Sequence, residues 1–577
     1  MTHLVPAASF VQTIPGLEFA ATLLTLLAAL VAVLLRQSRK GLLATGAVLT
    51  AAGLFETFLL ATGGASTTSL FHDILVVDPL SRMGTLGLTL VALAAIERAQ
   101  AMGPYNQHLD RSTQATHIAL MLVAITAMKL TLLGNDILVI ILCLELAWAP
   151  AIWLASNMSA PSRTARRPTR SSRATVYASG VLSVGLLLLA AALFQRASGN
   201  TTIPTLAGAP ARSLILAIPL LAAGLAWKAA VPPFGVGWPD FATDSPPGAW
   251  ILMDGGLKIT LALVTIRIVS NGFAQTQTAT SLWHPILLAI GLTGLIFGGL
   301  AAAWQHNVRQ VTAHSMVSLM SWVLVGLVPA SSSAPWAFGA KIGVLLLLWS
   351  SLVGFVGLVI LSDSMERTRQ DPGVPFPHTW YNLGRRRPLI TLAVIVLVGN
   401  AFGVPLTPGF FARLAIVSAM FQGHLVIAVV LVALWLLGMY PLLRLLGTLV
   451  PPAHEVSGRS VPAGLVASSA STGADTQSGP VPHEAEVANV PQDEGPSGEQ
   501  RTADQVDSAP DRKDAERENS QVDDAPRPRS AKGRTPRTED TEPIVGGLVL
   551  QVVTGLILVA GLFPHPFWKA LIRLIGR

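Results

Sequence analysis

Charged side chains are scarce in this 577-residue chain. Asp, Glu, Lys and Arg together make up 12% of it, whereas hydrophobic residues make up 51%, and the mean hydropathy is +0.56. A soluble domain of this length needs many more charges on its surface. The composition therefore predicts an all-α polytopic membrane protein, because each apolar run of about 18 residues or more is long enough to cross a bilayer as a helix.

Cysteine is almost absent, and the usual cofactor motifs are missing. Cys143 is the only cysteine, which excludes intrachain disulfides, cysteine-rich metal sites and cysteine-ligated iron–sulfur clusters. No GxGxxG or GxxxxGK[ST] phosphate-binding loop occurs. Residues 1–19 contain no Lys or Arg, so they lack the basic region of a cleavable signal peptide. We therefore expect no metal and no cofactor site in this chain.

Long apolar runs are what the sequence has instead, and we number fourteen of them as spans 1 to 14. Span 12 is too long for one simple crossing. An even number of crossings places both termini on the same side of the membrane. The spans are residues 16–36, 41–62, 82–98, 113–133, 136–156, 174–195, 211–231, 248–270, 283–304, 308–329, 339–361, 388–421, 424–448 and 544–562.

The basic residues between the spans are distributed very unequally. Apart from residues 451–542 and the C-terminal tail, sixteen Lys or Arg residues lie in or beside the loops after odd-numbered spans, and only Arg196 and Arg212 in or beside those after even-numbered spans. Lys569, Arg573 and Arg577, which follow span 14, go against this distribution. Because cytoplasmic loops carry the excess of Lys and Arg, the odd loops are predicted to be cytoplasmic and both termini to lie outside the cell inner (plasma) membrane. The pI near 9.8 thus reflects membrane topology, and we expect no nucleic-acid partner. The sixteen are Arg36, Arg39, Lys40, Arg98, Arg111, Arg163, Arg166, Arg167, Arg170, Arg173, Arg309, Arg367, Arg369, Arg385, Arg386 and Arg387.

Residues 451–542 have a different composition from the rest of the chain. They are rich in Pro, Ser and Gly and contain 18 acidic and 10 basic residues. Such a segment cannot bury enough apolar surface to offset the entropy of ordering it, so it is predicted to be a disordered cytoplasmic insertion. It is either a tolerated insertion or a regulatory or docking segment.

Two of the spans contain helix-breaking residues beside a cation. In LAWKAAVPPFGVGWPD, residues 225–240, Lys228 stands four residues before two adjacent prolines. In GVPLTPGFFARLAI, residues 403–416, Arg413 follows two prolines and a glycine. Backbone breaks at membrane depth are tolerated only where the freed groups face protein or a water-filled cavity. Spans 7 and 12 are therefore predicted to be broken helices that face the protein interior.

The spacing of the two breaks predicts an internal repeat. Breaks at corresponding positions of two repeats indicate a transport site. Spans 7 and 12 are five apart, and a repeat with an odd number of helices must be inserted upside down relative to its copy. We therefore expect inverted five-helix repeats, spans 4–8 and 9–13. The predicted domains are residues 1–112, 113–270, 283–450, 451–542 and 543–577.

Ionisable side chains inside the spans are the candidate site. Glu145 lies about ten residues into span 5 and Lys258 about ten into span 8, so each is ~15 Å deep. A charge there costs at least ~2.5–3.5 kcal/mol, so each should face the interior and have a partner. Lys228 and Arg413 lie beside the breaks, and His314 in span 10 is a weaker candidate that titrates near neutrality. Each alone could be structural, and their joint occurrence favours function.

Other charged groups have simpler interpretations. Lys129 and Lys341 lie near span ends, and we expect their ammonium groups to extend to the membrane surface. Asp254 lies four residues before Lys258 on the same helix face. That spacing predicts an ion pair, which is either structural or functional.

Five of these segments resemble one family in their order and spacing. GNDILVIILCLELAWAP, LAWKAAVPPFGVGWPD, DGGLKI, NVRQVTAHSMVSLMSW and GVPLTPGFFARLAIVSAMF are similar to motifs of the antiporter-like membrane subunits of respiratory complex I, most closely subunit N of bacterial NADH–quinone oxidoreductase. Arg413 stands where subunit N has a lysine, and Gly235 and Leu319 stand where the family usually has histidines. The chain is thus a diverged member by resemblance.

The resemblance implies a function and partners. It implies a proton-translocating membrane-arm subunit in which Glu145 tunes Lys228 and the proton passes to Lys258. Quinone reduction in neighbouring subunits would drive the cycle, so quinone, FMN and iron–sulfur clusters are expected in those partner subunits and no redox centre in this chain. The alternatives are a subunit of a cation/proton antiporter or membrane-bound hydrogenase, or a degenerate structural membrane-arm subunit, which Arg413 favours because arginine does not readily give up its proton. A self-contained solute carrier ranks last.

Overall fold

The computed structural model describes residues 16–36, 38–63, 66–101, 111–157, 170–235, 237–305, 308–367, 387–449 and 557. The predicted insertion at residues 451–542 lies outside the described residues, and so does span 14 apart from residue 557. The described helices are α1 Leu17–Leu34, α2 Arg39–Gly63, α3 Pro79–Ala101, α4 Arg111–Leu133, α5 Ile137–Asn157, α6 Arg170–Ser198, α7 Ala211–Lys228, α8 Trp238–Asp244, α9 Pro247–Gln275, α10 Gln277–Trp304, α11 Val308–Ala330, α12 Ala337–Arg367, α13 Pro388–Phe402, α14 Pro408–Gly423, α15 Leu425–Gly438 and α16 Tyr440–Leu449.

The helical membrane fold predicted from composition is confirmed. Among the described residues, eleven helical stretches are long and apolar enough to cross a membrane. Two further apolar helices are shorter, at Phe19–Leu34 and Pro388–Phe402. The second is short because span 12 is divided between α13 and α14, which explains why that run is too long for one helix.

Both predicted helix breaks are present. Helix α7 ends at Lys228 and α8 begins at Trp238, whereas α13 ends at Phe402 and α14 begins at Pro408. Prolines remove backbone donors and prevent the helix from continuing. At the second break Gly403 has φ +74°, and a Cβ there would lie 2.6 Å from Nη1 of Arg413. Only glycine therefore fits this turn without displacing the arginine.

A short β-hairpin marks one end of the helix assembly. Strands β1 Thr68–Leu70 and β2 Leu75–Val77 pair antiparallel. Isolated bridges join Leu75 to Gly134 and Asp136 to Thr202, so the loops that follow spans 2, 4 and 6 lie together. We call this end the hairpin side. The arrangement agrees with helices that alternate in direction, as the sequence predicts.

Helix α9 lies at the centre of the fold. In its apolar 18-residue stretch, 94% of the residues are buried, a larger share than in any other described span. The corresponding shares in α11 and α12 are 89% and 83%. Two π-helical stretches, Ile251–Leu257 and Ile268–Gly272, interrupt its α-helical geometry. A polar side chain on α9 must therefore find its partner within the protein, since an unpaired buried charge is strongly disfavoured.

Candidate functional site

The first ion pair joins α5 to the end of α7. Nζ of Lys228 lies 2.8 Å from Oε1 and 2.9 Å from Oε2 of Glu145. The lysine side chain is 0% exposed, whereas that of Glu145 is 28% exposed. Nζ also lies 4.0 Å from the ring centroid of Trp148, which is three residues after Glu145 on the same face of α5. The structure thus brings together the two residues that the resemblance pairs.

The position of Lys228 follows from the break. It is the last residue of α7, where the helix leaves its final carbonyl groups without intrahelical donors. A positive charge is stabilised at a helix C-terminus. The break therefore places an ammonium group where the backbone and Glu145 both favour a cation.

The second ion pair lies within α9. Nζ of Lys258 is 2.9 Å from Oδ1 of Asp254, so the pair predicted from the i, i+4 spacing is present. Both residues are 0% exposed. The indole nitrogens of Trp238 and Trp250 each donate a hydrogen bond of 2.8 Å to the carboxylate, one to Oδ1 and the other to Oδ2. Asp254 is thus a fully buried carboxylate with three partners.

Trp238 and the π-helical turn connect this pair to the break. Trp238 is the first residue of α8, so the residue that ends the break is also a hydrogen-bond donor to the carboxylate of Asp254. Asp254 itself lies in the π-helical stretch Ile251–Leu257. Such π-bulges occur frequently at functional sites. The break and the second ion pair are therefore parts of one arrangement.

His314 lies in the surroundings of Lys258. It is partly buried on α11, and its Nδ1 is 2.8 Å from the carbonyl oxygen of Gln310. The charges of Asp240 and Lys258 both act on its ring. Helix α11 packs against α8, which carries Asp240. The hydrogen-bond partner of His314 is thus a backbone carbonyl of its own helix, and its role in proton transfer stays a prediction.

Arg413 has a different environment from these groups. It is 2% exposed, and its guanidinium donates to the carbonyl oxygen of Gly409 at 3.0 Å and to that of Ala401. Its Cζ is 5.7 Å from the ring centroid of Trp322. Within the described part of the chain, no carboxylate forms a salt bridge with it. Backbone carbonyls at the second break therefore hold this cation.

Two further side chains complete the second break. Asn400 accepts a hydrogen bond from the backbone N–H of Gly409 at 2.9 Å and donates one to the carbonyl of Ser350 at 2.8 Å. The indole nitrogen of Trp435 donates to the carbonyl of Phe402 at 3.0 Å. Neither Asn400 nor Trp435 is among the residues predicted from the sequence. A fully polar asparagine inside the apolar run before the break was the available signal.

Lys129 contradicts its prediction. We expected it to extend to the membrane surface, but it is 0% exposed. Its ammonium group lies 2.7 Å from Oε1 of Glu56. The prediction was wrong because α1, α2 and α3 pack around α4 at this level and remove the path to the surface. Lys341, by contrast, is exposed, in agreement with its prediction.

The fold and these ion pairs define a polytopic membrane protein with paired acids and bases in its interior. No group of three or more His, Cys, Asp or Glu side chains within the described ranges is arranged to hold a metal ion. Residues 134–438, which are more than half of the chain, match the family "NADH:quinone oxidoreductase/Mrp antiporter, TM". The chain belongs to this family, and the resemblance drawn from its motifs is confirmed.

A relative of known name and two solved structures agree with this family membership. The chain is 26% identical over 397 residues to the NADH-quinone oxidoreductase subunit N of Maricaulis maris (strain MCS10), an alignment that covers 68% of this chain and 77% of that protein. Two solved structures share its fold, each at 19% identity. One is the Mrp complex from Dietzia sp. DQ12-45-1b, with a TM-score of 0.64 over 75% of this chain and 80% of that chain. The other is respiratory complex I from Thermus thermophilus, with a TM-score of 0.59 over 75% and 90%.

Proposed function

We propose that this chain is a proton-translocating membrane-arm subunit of an NADH–quinone oxidoreductase of the complex I type. The observation that carries the proposal is the ion pair between Glu145 and the buried Lys228 at the end of a broken helix. Family membership and the name of the Maricaulis maris relative support the same function. The break supplies what a proton path needs, namely an ionisable group and backbone polar groups at membrane depth.

The first step concerns the charge on Lys228. Glu145 stabilises its ammonium form across 2.8 Å. When the negative charge of Glu145 is neutralised or displaced, an isolated ammonium remains in a buried site, which is strongly disfavoured. The proton then leaves Nζ, and Lys228 becomes a neutral amine. Glu145 is suited to this control because its side chain is partly exposed, whereas that of the lysine is fully enclosed.

The second step transfers the proton to Lys258. Asp254 stabilises the ammonium formed there, and its two indole hydrogen bonds keep the carboxylate in place while the proton arrives and leaves. His314, a partly buried imidazole on α11, is the next acceptor in this proposal, because imidazole titrates near neutrality. Arg413 contributes a fixed positive charge and does not take part in proton transfer, because arginine stays protonated.

The driving reaction lies outside this chain in the proposal. Quinone, FMN and iron–sulfur clusters are placed in partner subunits, and this chain contributes the membrane-arm translocase part. Its partners are then the other membrane-arm subunits and the lipid bilayer. The proposed orientation has both termini outside and residues 451–542 in the cytoplasm, as the distribution of Lys and Arg indicates.

The test replaces Lys228 by alanine in the chromosomal copy. Proton uptake and quinone reduction are measured in inside-out vesicles and normalised to assembled complex. We expect Lys228→Ala to assemble and to lose most proton uptake, Glu145→Ala to impair it, and Glu145→Asp to retain part of it. The control is Lys341→Ala, which removes an exposed lysine and should have no effect. Full pumping by Lys228→Ala would refute the proposal and favour a structural membrane-arm subunit.

A cation/proton antiporter subunit is the second candidate. The family name includes Mrp antiporters, and the fold matches a chain of the Mrp complex of Dietzia sp. DQ12-45-1b. Affinity purification in mild detergent distinguishes the two. Co-purification of flavin and iron–sulfur subunits supports the oxidoreductase, whereas sodium-dependent proton exchange without such subunits supports the antiporter.

A further inference from the structure

A second group of buried polar side chains lies at the centre of the four N-terminal helices. Helices α1, α2, α3 and α4 pack around one another, and each contributes one residue to the site. Nζ of Lys129 donates to Oγ1 of Thr25 at 2.7 Å, to Oε1 of Glu56 at 2.7 Å and to Oγ1 of Thr89 at 2.6 Å. We call these four residues the Glu56–Lys129 cluster. All three hydrogens of the ammonium group are thus used.

The carboxylate of Glu56 is equally well bound. Oγ1 of Thr89 donates to its Oε2 at 2.6 Å, and the ammonium binds its Oε1. The side chains of Lys129 and Glu56 are 0% and 2% exposed. Threonine hydrogen bonds alone could hold four helices together at a lower desolvation cost than a buried ion pair. A buried acid and base therefore indicate a function in addition to holding the four helices together.

A small cavity extends from Glu56 towards the hairpin side. It has a volume of about 10 Å³, which is close to the minimum for one water molecule. Glu56, Arg82 and Thr85 provide its polar wall, and Val77 of β2 and Leu133 at the end of α4 lie along it as well. Nη2 of Arg82 donates to Oγ of Ser66 at 3.1 Å, near the start of the hairpin. Polar groups thus continue from the cluster to the end of the helix assembly.

Apolar side chains separate the cluster from the two lysine pairs described above. At Gly256 of α9, two residues before Lys258, an added Cβ would lie 2.9 Å from Sδ of Met128 and 3.6 Å from Cγ1 of Val91. Met128 precedes Lys129 on α4, and Val91 follows Thr89 on α3. These side chains close the gap between α9 and the cluster, so the cavity on the hairpin side is its route to water.

We propose that the Glu56–Lys129 cluster is a proton-exchange site that opens to the hairpin side. The carboxylate of Glu56 takes a proton from a hydronium ion in the cavity, which gives a carboxylic acid and a water molecule, and the reverse step returns it. Lys129 stays an ammonium throughout, because its Nζ still donates to the hydroxyls of Thr25 and Thr89 when Glu56 is neutral, whereas Glu145 is the only hydrogen-bond acceptor of Lys228 among the described residues. The charged groups that face Glu56 from the described residues are Lys129 and, across the cavity, Arg82. This site is distinct from the path through Lys228, and the inference does not depend on that path.

The first test measures access from water. In the assembled complex with Cys143→Ala, a cysteine is introduced as Thr85→Cys in the cavity wall and treated with a membrane-impermeant thiosulfonate from each side. We expect labelling from the hairpin side at least tenfold faster than for Ala52→Cys, a fully buried position one turn from Glu56 on the same helix. Leu59→Cys, also in the cavity wall, replaces Thr85→Cys if that variant does not assemble. Equal, slow labelling of cavity and control positions overturns the proposal.

The second test detects the proton itself. Infrared difference spectra of the purified complex between two pH values should show the carbonyl band of a buried carboxylic acid. We expect Glu56→Gln to remove that band and Thr25→Val, which removes a hydrogen bond but no titratable group, to keep it. A spectrum that is identical in the wild type and in Glu56→Gln means that Glu56 exchanges no proton and that the cluster only joins the helices.

Discussion

The two helix breaks both leave backbone carbonyl groups without intrahelical donors, and each has a different cation beside it. At the first, Lys228 at the end of α7 is paired with Glu145, a carboxylate on another helix. At the second, Arg413 in α14 donates to the carbonyl oxygens of Gly409 and Ala401, which lie in the helix ends on either side of the break. One cation has a titratable partner, and the other has the backbone as its partner.

This difference separates a site that can change its charge from one that cannot. An ammonium and a carboxylate can exchange a proton or be uncoupled by a second charge. A guanidinium bound to carbonyl groups keeps its charge, and it satisfies acceptors that the end of α13 would otherwise leave unpaired. We infer that the first break is the variable element and the second is a fixed support.

The largest expected effect comes from exchanging the cation at the first break. Lys228→Arg should assemble but lose most of its coupled proton uptake, at least tenfold, because arginine keeps its proton where a switching group is needed. The measurement is proton uptake per quinone reduced in inside-out vesicles, normalised to assembled complex. Wild-type pumping in this variant would show that Lys228 need not change its charge, and the distinction between the breaks would disappear.

The indole donors at the two breaks permit a matched comparison. Trp238→Phe removes a hydrogen bond to the buried carboxylate of Asp254, and a hydrogen bond to a charged group contributes roughly 1.5–3 kcal/mol. Trp435→Phe removes a hydrogen bond to the carbonyl of Phe402. We expect the first to lower turnover several-fold in the assembled complex and the second to lower thermal stability with turnover unchanged. Equal effects on turnover would contradict the assignment of different roles.

Much of this fold could be predicted from the sequence because its signals are local. Apolar length predicts the spans, and proline and glycine inside an apolar run predict the breaks after Lys228 and before Arg413. The pair of Asp254 and Lys258 follows from helical spacing alone. Each of these features depends on residues that are neighbours in the chain, so the sequence contains what is needed.

The features that were missed depend on contacts between distant residues. Lys129 and Glu56 are 73 positions apart, and only the packing of four helices reveals that Lys129 is enclosed. Asn400 could be seen as polar, but its bond to Ser350 on α12 spans 50 positions. The partners of Arg413 are backbone carbonyls, which no side-chain pattern encodes.

Asn400→Ala should have a moderate effect that is confined to stability. It removes the acceptor for the N–H of Gly409 and the donor to Ser350, and a buried polar group left unpaired costs about 1–3 kcal/mol. We expect a lower midpoint of thermal unfolding in detergent and unchanged turnover per assembled complex. Ser418→Ala, an exposed position on α14, is the control and should leave the midpoint unchanged. A large loss of turnover in Asn400→Ala would mean that the second break takes part in proton transfer.

Arg413→Lys should have the smallest effect of all. Lysine keeps the positive charge and can still donate to the carbonyl of Gly409, which lies one helical turn before it. Lysine lacks the two-armed guanidinium group, so the hydrogen bond to the carbonyl of Ala401 weakens and a small decrease in stability is expected. Proton uptake and quinone reduction should stay within about twofold of the wild type, since about 0.4 kcal/mol is a twofold change in rate. Arg413→Gln, which keeps hydrogen-bond donors but removes the charge, shows whether the charge is needed. If Arg413→Lys stops pumping as fully as Lys228→Arg does, the guanidinium geometry takes part in the cycle, and the second break is not a fixed support.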